Sequence, residues 1–254
     1  MFQRKVSDRL ASTAIQYSNP LSLLTIINSI KNAVKVVVFS MKKYFVTGTD
    51  TDVGKTVASA WLMLHLEAAY WKPIQSGLQE KDIDYIKEYT DAPNTSFFPS
   101  TYELAQPLSP HESARRDGVQ IEMNEFSLPD TQQNLIVEGA GGLMVPINRD
   151  QFVIDMIAHL NVPAILVSRS GLGTINHTLL SLEAMCKRGI EVAGIIMSGE
   201  KSPHNRQALE EYTQKGTSGG VPIIAEIDQL EVVNKESLLA IKPEIELKNL
   251  KVAA

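Results

Sequence analysis

The stretch from Gly48 to Thr56 constrains the fold of this chain more than any other. It reads Gly-Thr-Asp-Thr-Asp-Val-Gly-Lys-Thr and lies between residues 42–47, which are rich in aromatic and β-branched types, and the apolar residues 57–66. The first flank is typical of a strand and the second of a helix. A strand, a glycine-containing turn ending in Gly-Lys-Thr and a helix form a phosphate-binding loop, because N–H groups at a helix N-terminus bind phosphate oxygens.

Individual residues of this loop have predicted roles. Gly54 lets the backbone approach a phosphate because it carries no Cβ. Lys55 can reach the outer phosphates, and the hydroxyl of Thr56 can ligate Mg²⁺. The first glycine, Gly48, lies one residue earlier than the usual pattern requires, so the loop is a variant. The alternative is a chance Gly-Lys-Thr on a surface turn.

The charge distribution argues against one class of partner. The net charge is −5, but residues 1–40 carry five basic side chains and one acid, which leaves −9 on residues 41–254. An acidic domain is a poor match for a nucleic-acid backbone. Cys186 is the single cysteine, which fits a reducing cytoplasm, and no run of 18 apolar residues predicts a spanning helix. We therefore expect a cytoplasmic protein without nucleic-acid or membrane partners.

Residues 1–40 contain no recognisable motif. A basic start followed by apolar residues would suit a signal peptide, but the apolar part comes late and no small-residue cleavage site is evident. The alternative that we favour is a translation start placed too early, with Met41 the first residue of the domain. We predict an extension over residues 1–40, either disordered or a mis-assigned start, and one phosphate-loop domain over residues 41–254.

Strand and helix signals alternate after Met41, which predicts an α/β fold with a doubly wound, mostly parallel sheet and helices on both faces. Ligands of such sheets bind beyond the carboxyl ends of the strands. A proline-rich loop is expected over 92–110, and the segment from Glu231 gives only weak signals. The predicted strands are 42–47, 70–74, 134–138, 163–168, 190–197 and 221–227; the predicted helices are 57–66, 82–89, 111–116, 152–160, 174–187 and 203–215.

Two acidic positions predict a metal site at that edge. Glu138 ends an apolar strand and precedes Gly139–Gly142, where a carboxylate can help to hold Mg²⁺ and glycines leave room for a ligand. Asp84, with Asp82 nearby, opens a short helix and is predicted to be the second carboxylate on the metal. The alternatives are a strand-end acid before a flexible turn and an acid that stabilises a helix start.

Lys72 and Ser76 have the residue types of a substrate site at the same edge. The charge of Lys72 would stabilise a developing phosphoryl or carboxylate anion. The alternative is a lysine whose stem packs on apolar surface while its ammonium group reaches water. Ser76 can form a hydrogen bond with an uncharged substrate group.

Together these segments resemble the dethiobiotin synthetase family of the phosphate-loop NTPase superfamily, over about residues 41–230. The early glycine of the loop is a feature of that family. This chain differs from the family in having Asp52 where Glu is common, Ser198 where Asn is frequent, and a shorter connection from Leu66 to Lys72. The segments that carry the resemblance are Thr47–Thr56, Lys72–Gly77, Ser109–His111, Val137–Gly142 and Gly171–His177.

The resemblance implies a homodimeric cyclo-ligase of biotin biosynthesis that forms C–N bonds and uses ATP and Mg²⁺. One amine of 7,8-diaminononanoate would capture CO₂ as a carbamate, which ATP phosphorylates. The second amine would then close a cyclic urea, giving dethiobiotin, ADP and phosphate.

The same resemblance implies a role for each matching residue. Lys55 and Lys72 would be catalytic, and Thr56, Asp84 and Glu138 would hold the metal. Gly173, Thr174 and Asn176 would bind the substrate's carboxylate from the neighbouring subunit; the alternative is an ordinary strand-to-helix turn. Substrate would also contact Thr51 and Ser76. The nucleotide would contact Asp52, Val53, Gly54, Lys55, Thr56, Val57, Asp84, Glu138, Gly139, Ala140, Gly141, Ser198, Gly199, Asp228, Gln229 and Leu230.

Three other functions are alternatives to this one. One alternative is a regulatory ATPase switch of the same superfamily. Such switches resemble one another in having an extra lysine near the start of the loop, and Thr47–Val53 contains no lysine. A related amide-forming cofactor ligase normally has a glutamine-hydrolysing domain, for which the segment after Ile227 is too short. A nucleotide-binding module without catalysis is the third alternative. ATP turnover that depends on both the diamine and CO₂ distinguishes the enzyme from all three.

Overall fold

The computed structural model describes residues 41–215 and 220–250. The predicted extension over residues 1–40 lies outside the described residues, so the domain boundary at Met41 stays a prediction. The strands are β1 (Lys43–Gly48), β2 (Ala68–Trp71), β3 (Ile74–Ser76), β4 (Phe97–Phe98), β5 (Tyr102–Leu104), β6 (Asn134–Gly142), β7 (Ala164–Arg169), β8 (Val192–Ser198) and β9 (Ile223–Ile227). The helices are α1 (Lys55–Leu66), α2 (Asp82–Thr90), α3 (Pro110–Asp117), α4 (Val153–Leu160), α5 (Thr174–Lys187), α6 (Pro203–Lys215) and α7 (Lys235–Ala240).

Seven strands form one sheet in the order β4-β2-β6-β1-β7-β8-β9. Every neighbouring pair in this sheet is parallel, so all carboxyl ends lie at one edge. The two short strands β3 and β5 pair separately, also in parallel. The strand order and direction confirm the predicted doubly wound α/β fold.

Successive residues of a strand point to opposite faces of the sheet, and helices cover both faces. On one face Phe45 and Val137 belong to a core that includes residues of α4, α5 and α6. On the other face Tyr44 and Ile136 pack in a core with residues of α1, α2 and α7. Burying each such large apolar side chain contributes about 1.5–3 kcal/mol to stability. Among the described residues, no helix has the length and apolar character to span a membrane.

The region before α2 differs from the sequence prediction. The predicted strand 70–74 is two strands, because Pro73 has no N–H to continue the hydrogen-bond ladder of β2. The chain therefore leaves the main sheet after Trp71, and β3 pairs with β5. The predicted loop 92–110 contains β4 and β5, in which aromatic residues outweigh the prolines around them.

The short connection before Lys72 is closed by a single residue. Helix α1 ends at Leu66, Glu67 adopts the left-handed conformation with φ 50°, and β2 begins at Ala68. Strand β2 is paired with β6 up to Trp71. The side chain of Lys72 therefore follows β2 directly, at the carboxyl edge of the sheet.

Candidate functional site

The phosphate loop connects the central strand β1 to α1, and its first glycine is fixed by close packing. A Cβ on Gly48 would lie 2.7 Å from the Asp50 carbonyl oxygen and 2.7 Å from Cγ2 of Val53. Real Cβ atoms do not approach other atoms so closely, so this position requires glycine. The loop folds back on itself at Gly48, which explains why the first glycine comes one residue early.

Gly54 immediately precedes helix α1 and has a conformation that other residues rarely adopt. Its φ is 92°, and a Cβ there would lie 2.4 Å from Oγ of Ser198. Both the backbone angle and the close approach therefore select glycine. Ser198 ends β8 and lies against the phosphate loop at this point.

Two hydrogen bonds to backbone carbonyls hold the loop, one from Lys55 and one from Arg169 of β7. Nζ of Lys55 donates to the Asp50 carbonyl at 3.2 Å. Burial lowers the pKa of Lys55, and the negative charge of Glu138 offsets part of that effect. From β7, Arg169 donates to the Thr51 carbonyl at 3.1 Å. The Lys55 ammonium therefore lies under the loop, where phosphate oxygens would meet the N–H groups.

A compact ionic cluster lies beside the loop. Nζ of Lys72 is 3.0 Å from Oδ2 of Asp82 and 3.0 Å from Oε1 of Glu138. The Thr56 hydroxyl donates to Oδ1 of Asp82 at 2.6 Å and lies 3.3 Å from Oε1 of Glu138. Glu138 is 1% exposed and Lys72 is 7% exposed, so their charges are removed from water. One cation and two carboxylates thus meet next to the first turn of α1.

The charges of this cluster stabilise one another. Burial by itself lowers the pKa of Lys72, but the neighbouring carboxylates of Glu138 and Asp82 outweigh burial and raise this pKa. Burial likewise acts to raise the pKa of Asp82, but Lys72 and the hydrogen bond from Thr56 outweigh it and lower this pKa. Lys72 is therefore a cation and Asp82 an anion at neutral pH.

The structure does not bring Asp84 into this cluster, and its metal role stays a prediction. Asp84 is exposed, and the described residues show no hydrogen bond or ion pair between its side chain and Thr56 or Glu138. Residues two apart on a helix point to different sides. Asp82, the first residue of α2, is the acid of this helix whose side chain contacts Thr56 and Lys72.

Two buried side chains that the sequence analysis missed support the carboxylates. The Tyr70 hydroxyl lies 3.2 Å from Oε2 of Glu138. Burial raises the pKa of Tyr70 well above its usual value, as do the charges of Glu138 and Asp82, so the phenol keeps its proton and donates. Oε1 of Gln75 accepts from the Asp82 N–H at 3.3 Å, and Nε2 donates to the Gly77 carbonyl at 3.0 Å. The only sequence signal was a polar group in an apolar segment, which needs a partner once buried.

The glycines after Glu138 belong to β6 rather than to a flexible turn, because the strand continues to Gly142. Gly142 pairs with Gly48 of β1. A Cβ on Gly141 would lie 3.3 Å from Oγ1 of Thr51. The segment that contains Gly139, Ala140 and Gly141 therefore lies along the phosphate loop.

The remaining predicted contact residues fall in three places along the edge. Oγ of Ser76 is buried and forms no hydrogen bond with the described residues. The Gly199 N–H donates to the Ile227 carbonyl at 2.9 Å, which brings the segment at Ser198 next to the segment 228–230. These are the two segments predicted to contact the base. Both follow neighbouring strands, β8 and β9.

The predicted carboxylate-binding segment begins α5 and lies outside the bonded cluster. Gly173 and Asn176 are exposed. Thr174 is buried, its N–H bonds to the Gly171 carbonyl at 3.3 Å, and its hydroxyl lies 3.4 Å from that of Thr178. The N–H and the hydroxyl of Thr174 thus have partners within this segment. Asn176 and the free N–H groups in the first turn of α5 remain for a ligand.

The cluster at Thr56 has the oxygen atoms that a hard divalent cation requires. Mg²⁺ with bonds of about 2.0–2.1 Å has neighbouring ligand oxygens about 3 Å apart. Oγ1 of Thr56 lies 2.6 Å from Oδ1 of Asp82 and 3.3 Å from Oε1 of Glu138, which fits that spacing. The described residues contain no group of three or more His, Cys, Asp or Glu arranged as a metal site. A cation here would therefore need further oxygen ligands, such as those of phosphates or water.

Comparisons with known proteins identify the family of this chain. A family profile described as an AAA domain matches residues 42–237. The ATP-dependent dethiobiotin synthetase BioD of Paramagnetospirillum magneticum is 47% identical over 203 residues, covering 80% of this chain and 96% of its own length. The BioD protein of Cytophaga hutchinsonii is 40% identical over 201 residues, covering 79% of this chain and 95% of its own length.

A solved structure of a ParA family ATPase from Chlorobium tepidum is 14% identical and covers 79% of this chain and 90% of its own, with a TM-score of 0.45. That similarity is too low to carry an argument about function. The relatives at 40–47% identity are matched over nearly their whole length. The chain therefore belongs to the family of ATP-dependent dethiobiotin synthetases.

Proposed function

We propose that this chain converts 7,8-diaminononanoate, CO₂ and ATP into dethiobiotin, ADP and phosphate, with Mg²⁺ as the metal. The observation that carries the proposal is the position of Lys72, a buried cation 3.0 Å from Glu138 and Asp82 beside a phosphate loop. The names of the relatives at 40–47% identity support the same activity.

The nucleotide would bind along the loop with its phosphates over the start of α1. The N–H groups from Asp52 to Val57 supply donors, and Lys55 supplies a charge beneath them. The adenine base would lie near Ser198–Gly199 and Asp228–Leu230, which are joined by the hydrogen bond between Gly199 and Ile227. Gly139–Gly141 would border the phosphates.

Thr56, Asp82 and Glu138 would hold Mg²⁺ together with phosphate oxygens. The ion supplies neutralising charge to the phosphates during phosphoryl transfer. Because Lys72 bonds to both carboxylates in this structure, a divalent cation on the same carboxylates would compete with it. The ammonium of Lys72 would then be available to an anion on the substrate side.

The reaction places a negative charge next to Lys72 at two stages. The carbamate formed from the first amine and CO₂ is an anion, and so is its phosphorylated form. Lys72 would stabilise both, and the phosphate then leaves as the second amine attacks the carbamoyl carbon. Oγ of Ser76 is buried without a hydrogen bond to the described residues, which supports a contact with bound substrate. Thr51 would line the same side.

The activity can be tested with the purified full-length chain. Mass spectrometry should detect dethiobiotin from the diamine, bicarbonate and Mg-ATP, with one ADP released for each product. Reactions that lack one component are the controls. ATP hydrolysis at the same rate without diamine or bicarbonate would favour the regulatory ATPase instead.

The assignment of Asp82 rather than Asp84 to the metal gives a matched pair of variants. Asp82→Asn should raise the Mg²⁺ concentration needed for half-maximal turnover by at least about tenfold, because an amide is a weaker ligand for a hard cation. Asp84→Asn makes the same chemical change two residues away and should leave the Mg²⁺ titration unchanged. A larger shift for Asp84→Asn would return the metal role to that residue.

We also propose that the enzyme is a homodimer in which the start of α5 completes the partner's substrate site. The first N–H groups of a helix are free to bind a carboxylate, and Gly173 and Asn176 are exposed there. Leu172, just before α5, is 104% exposed, and Leu180 within α5 is 56% exposed. A second subunit packed against this segment would remove both apolar side chains from water.

Subunit mixing tests the shared site. Sedimentation should show a dimer at assay concentrations. Lys72→Ala and Gly173→Val subunits should each be inactive alone, and their equal mixture should recover about a quarter of wild-type activity, since half of the dimers then have one intact site. An inactive mixture with proven subunit exchange would mean that the carboxylate binds within one chain.

Three further expectations remain part of the proposal. The domain would start at Met41, so that residues 41–254 form the functional unit. A cytoplasmic location fits the single cysteine, Cys186. The acidic charge of the domain gives no reason to expect a nucleic-acid partner.

A further inference from the structure

Tyr70 makes a buried contact that the proposed reaction does not by itself require. Its side chain lies within the core formed with α1 and α2, and the residue is 0% exposed. Its hydroxyl lies 3.2 Å from Oε2 of Glu138. The other oxygen, Oε1, faces Lys72 at 3.0 Å and Thr56 at 3.3 Å. The two oxygens of this carboxylate therefore have separate partners on opposite sides.

The separate partners of Oε1 and Oε2 fix the orientation of the Glu138 carboxylate. Glu138 follows the buried strand residues Ile136 and Val137, which offer its carboxylate no polar group, so an unpaired Oε2 would carry the full cost of a buried charge. Among the described residues, Oε2 has one hydrogen-bond donor, the phenol of Tyr70. With that bond in place, Oε1 stays directed at Thr56 and Lys72.

We propose that Tyr70 is a positioning residue that holds Glu138 in its metal-binding orientation through this hydrogen bond. The inference rests on the metal site of the proposed function. Removing the hydrogen-bond partner of a metal ligand typically lowers the metal affinity of the site about 10–100-fold. The reason is that the free energy of metal binding must then also order the ligand. Tyr70 itself would touch neither metal nor substrate.

The variant Tyr70→Phe removes the hydroxyl and keeps the ring in the core. Electron paramagnetic resonance of free Mn²⁺, in the presence of ADP and without diamine or CO₂, measures metal binding directly. The Kd for Mn²⁺ should rise at least about tenfold relative to wild type. The same Kd for Tyr70→Phe and wild type would overturn the inference.

Tyr44→Phe is the matched control. Tyr44 lies in the same core with 0% exposure, and its hydroxyl reaches the Leu250 carbonyl at 3.5 Å, away from the loop. Removing either hydroxyl takes one buried donor from the same core. Mn²⁺ binding should fall for Tyr70→Phe alone. An equal loss for Tyr44→Phe would make the effect a general result of weakening the core and would overturn the inference.

A double variant tests whether Tyr70 acts through Glu138. In a Glu138→Gln background the charged ligand is already gone, so adding Tyr70→Phe should change the Kd for Mn²⁺ by less than about twofold. A full tenfold loss in that background would show that the hydroxyl acts elsewhere and would overturn the inference. Wild-type protein that leaves Mn²⁺ free would overturn the metal site as well. A failed dethiobiotin assay with intact Mn²⁺ binding would instead overturn only the proposed reaction.

Discussion

Lys72→Ala is expected to lower turnover by about 10²–10³-fold, the usual loss when one preorganised charge is removed from a developing anion. The ammonium of Lys72 is buried, so its charge would act on the developing anion with little screening by water. The decrease should appear in kcat, because the charge acts on the carbamate and its phosphorylated form. ATP binding, measured without diamine, should persist.

The same variant should change stability in a way that reports on the metal. Without Lys72, Asp82 and Glu138 repel each other in a site largely removed from water, so the melting temperature should fall in the absence of divalent ions. Mg²⁺ with ADP should restore much of the loss, because it replaces the missing positive charge on the same carboxylates. Differential scanning calorimetry with and without Mg²⁺ measures both effects.

Lys81→Ala is the control for the loss of a lysine in this region. Lys81 forms an exposed ion pair with Glu103 at 2.9 Å, a kind of pair worth about 0–1 kcal/mol. Lys81→Ala should leave turnover and the response of the melting temperature to Mg²⁺ unchanged. Wild-type turnover in Lys72→Ala would remove the assigned role of Lys72 and, with it, the main support for the reaction.

The fold could be predicted from the sequence because its signals are local. The run before Gly48 and the one after Thr56 gave β1 and α1 because apolar content and residue type differ between a buried strand and a helix. Gly48 itself looked misplaced in the pattern. Its reason is a contact with the Asp50 carbonyl and Val53, which only the folded loop reveals.

The site was predicted less completely because side-chain direction is not a local signal. Asp82 and Asp84 are both acids at a helix start, and the sequence offers no reason to prefer one. The choice depends on where α2 docks, which Gln75 helps to set through the Asp82 N–H. Tyr70 appeared to be one apolar residue of a strand, and its hydroxyl acquires a partner only because β2 lies beside β6.

Gly54→Ala is expected to weaken ATP binding by at least about 10²-fold, which corresponds to losing about two hydrogen bonds to charged phosphate oxygens. A side chain at φ 92° is strained by about 1–2 kcal/mol. Its Cβ would also lie 2.4 Å from Oγ of Ser198. A movement of the loop can relieve the backbone strain and the contact with Ser198. That movement takes the N–H groups of Lys55 and Thr56 out of line with the phosphates. Calorimetric titration with Mg-ADP measures the loss.

Two companion variants divide the effect into its causes. Gly118→Ala makes the same change at φ 68° with no atom within 4 Å of the new Cβ, so it should lower the melting temperature slightly and leave Mg-ADP binding intact. Gly54→Ala combined with Ser198→Gly removes the contact with Ser198 and leaves only the backbone strain, so it should recover part of the affinity. Unchanged Mg-ADP binding in Gly54→Ala alone would mean that the nucleotide does not depend on this loop. Full recovery in the double variant would make the contact with Ser198, rather than the backbone angle, the reason why glycine is needed at the start of α1.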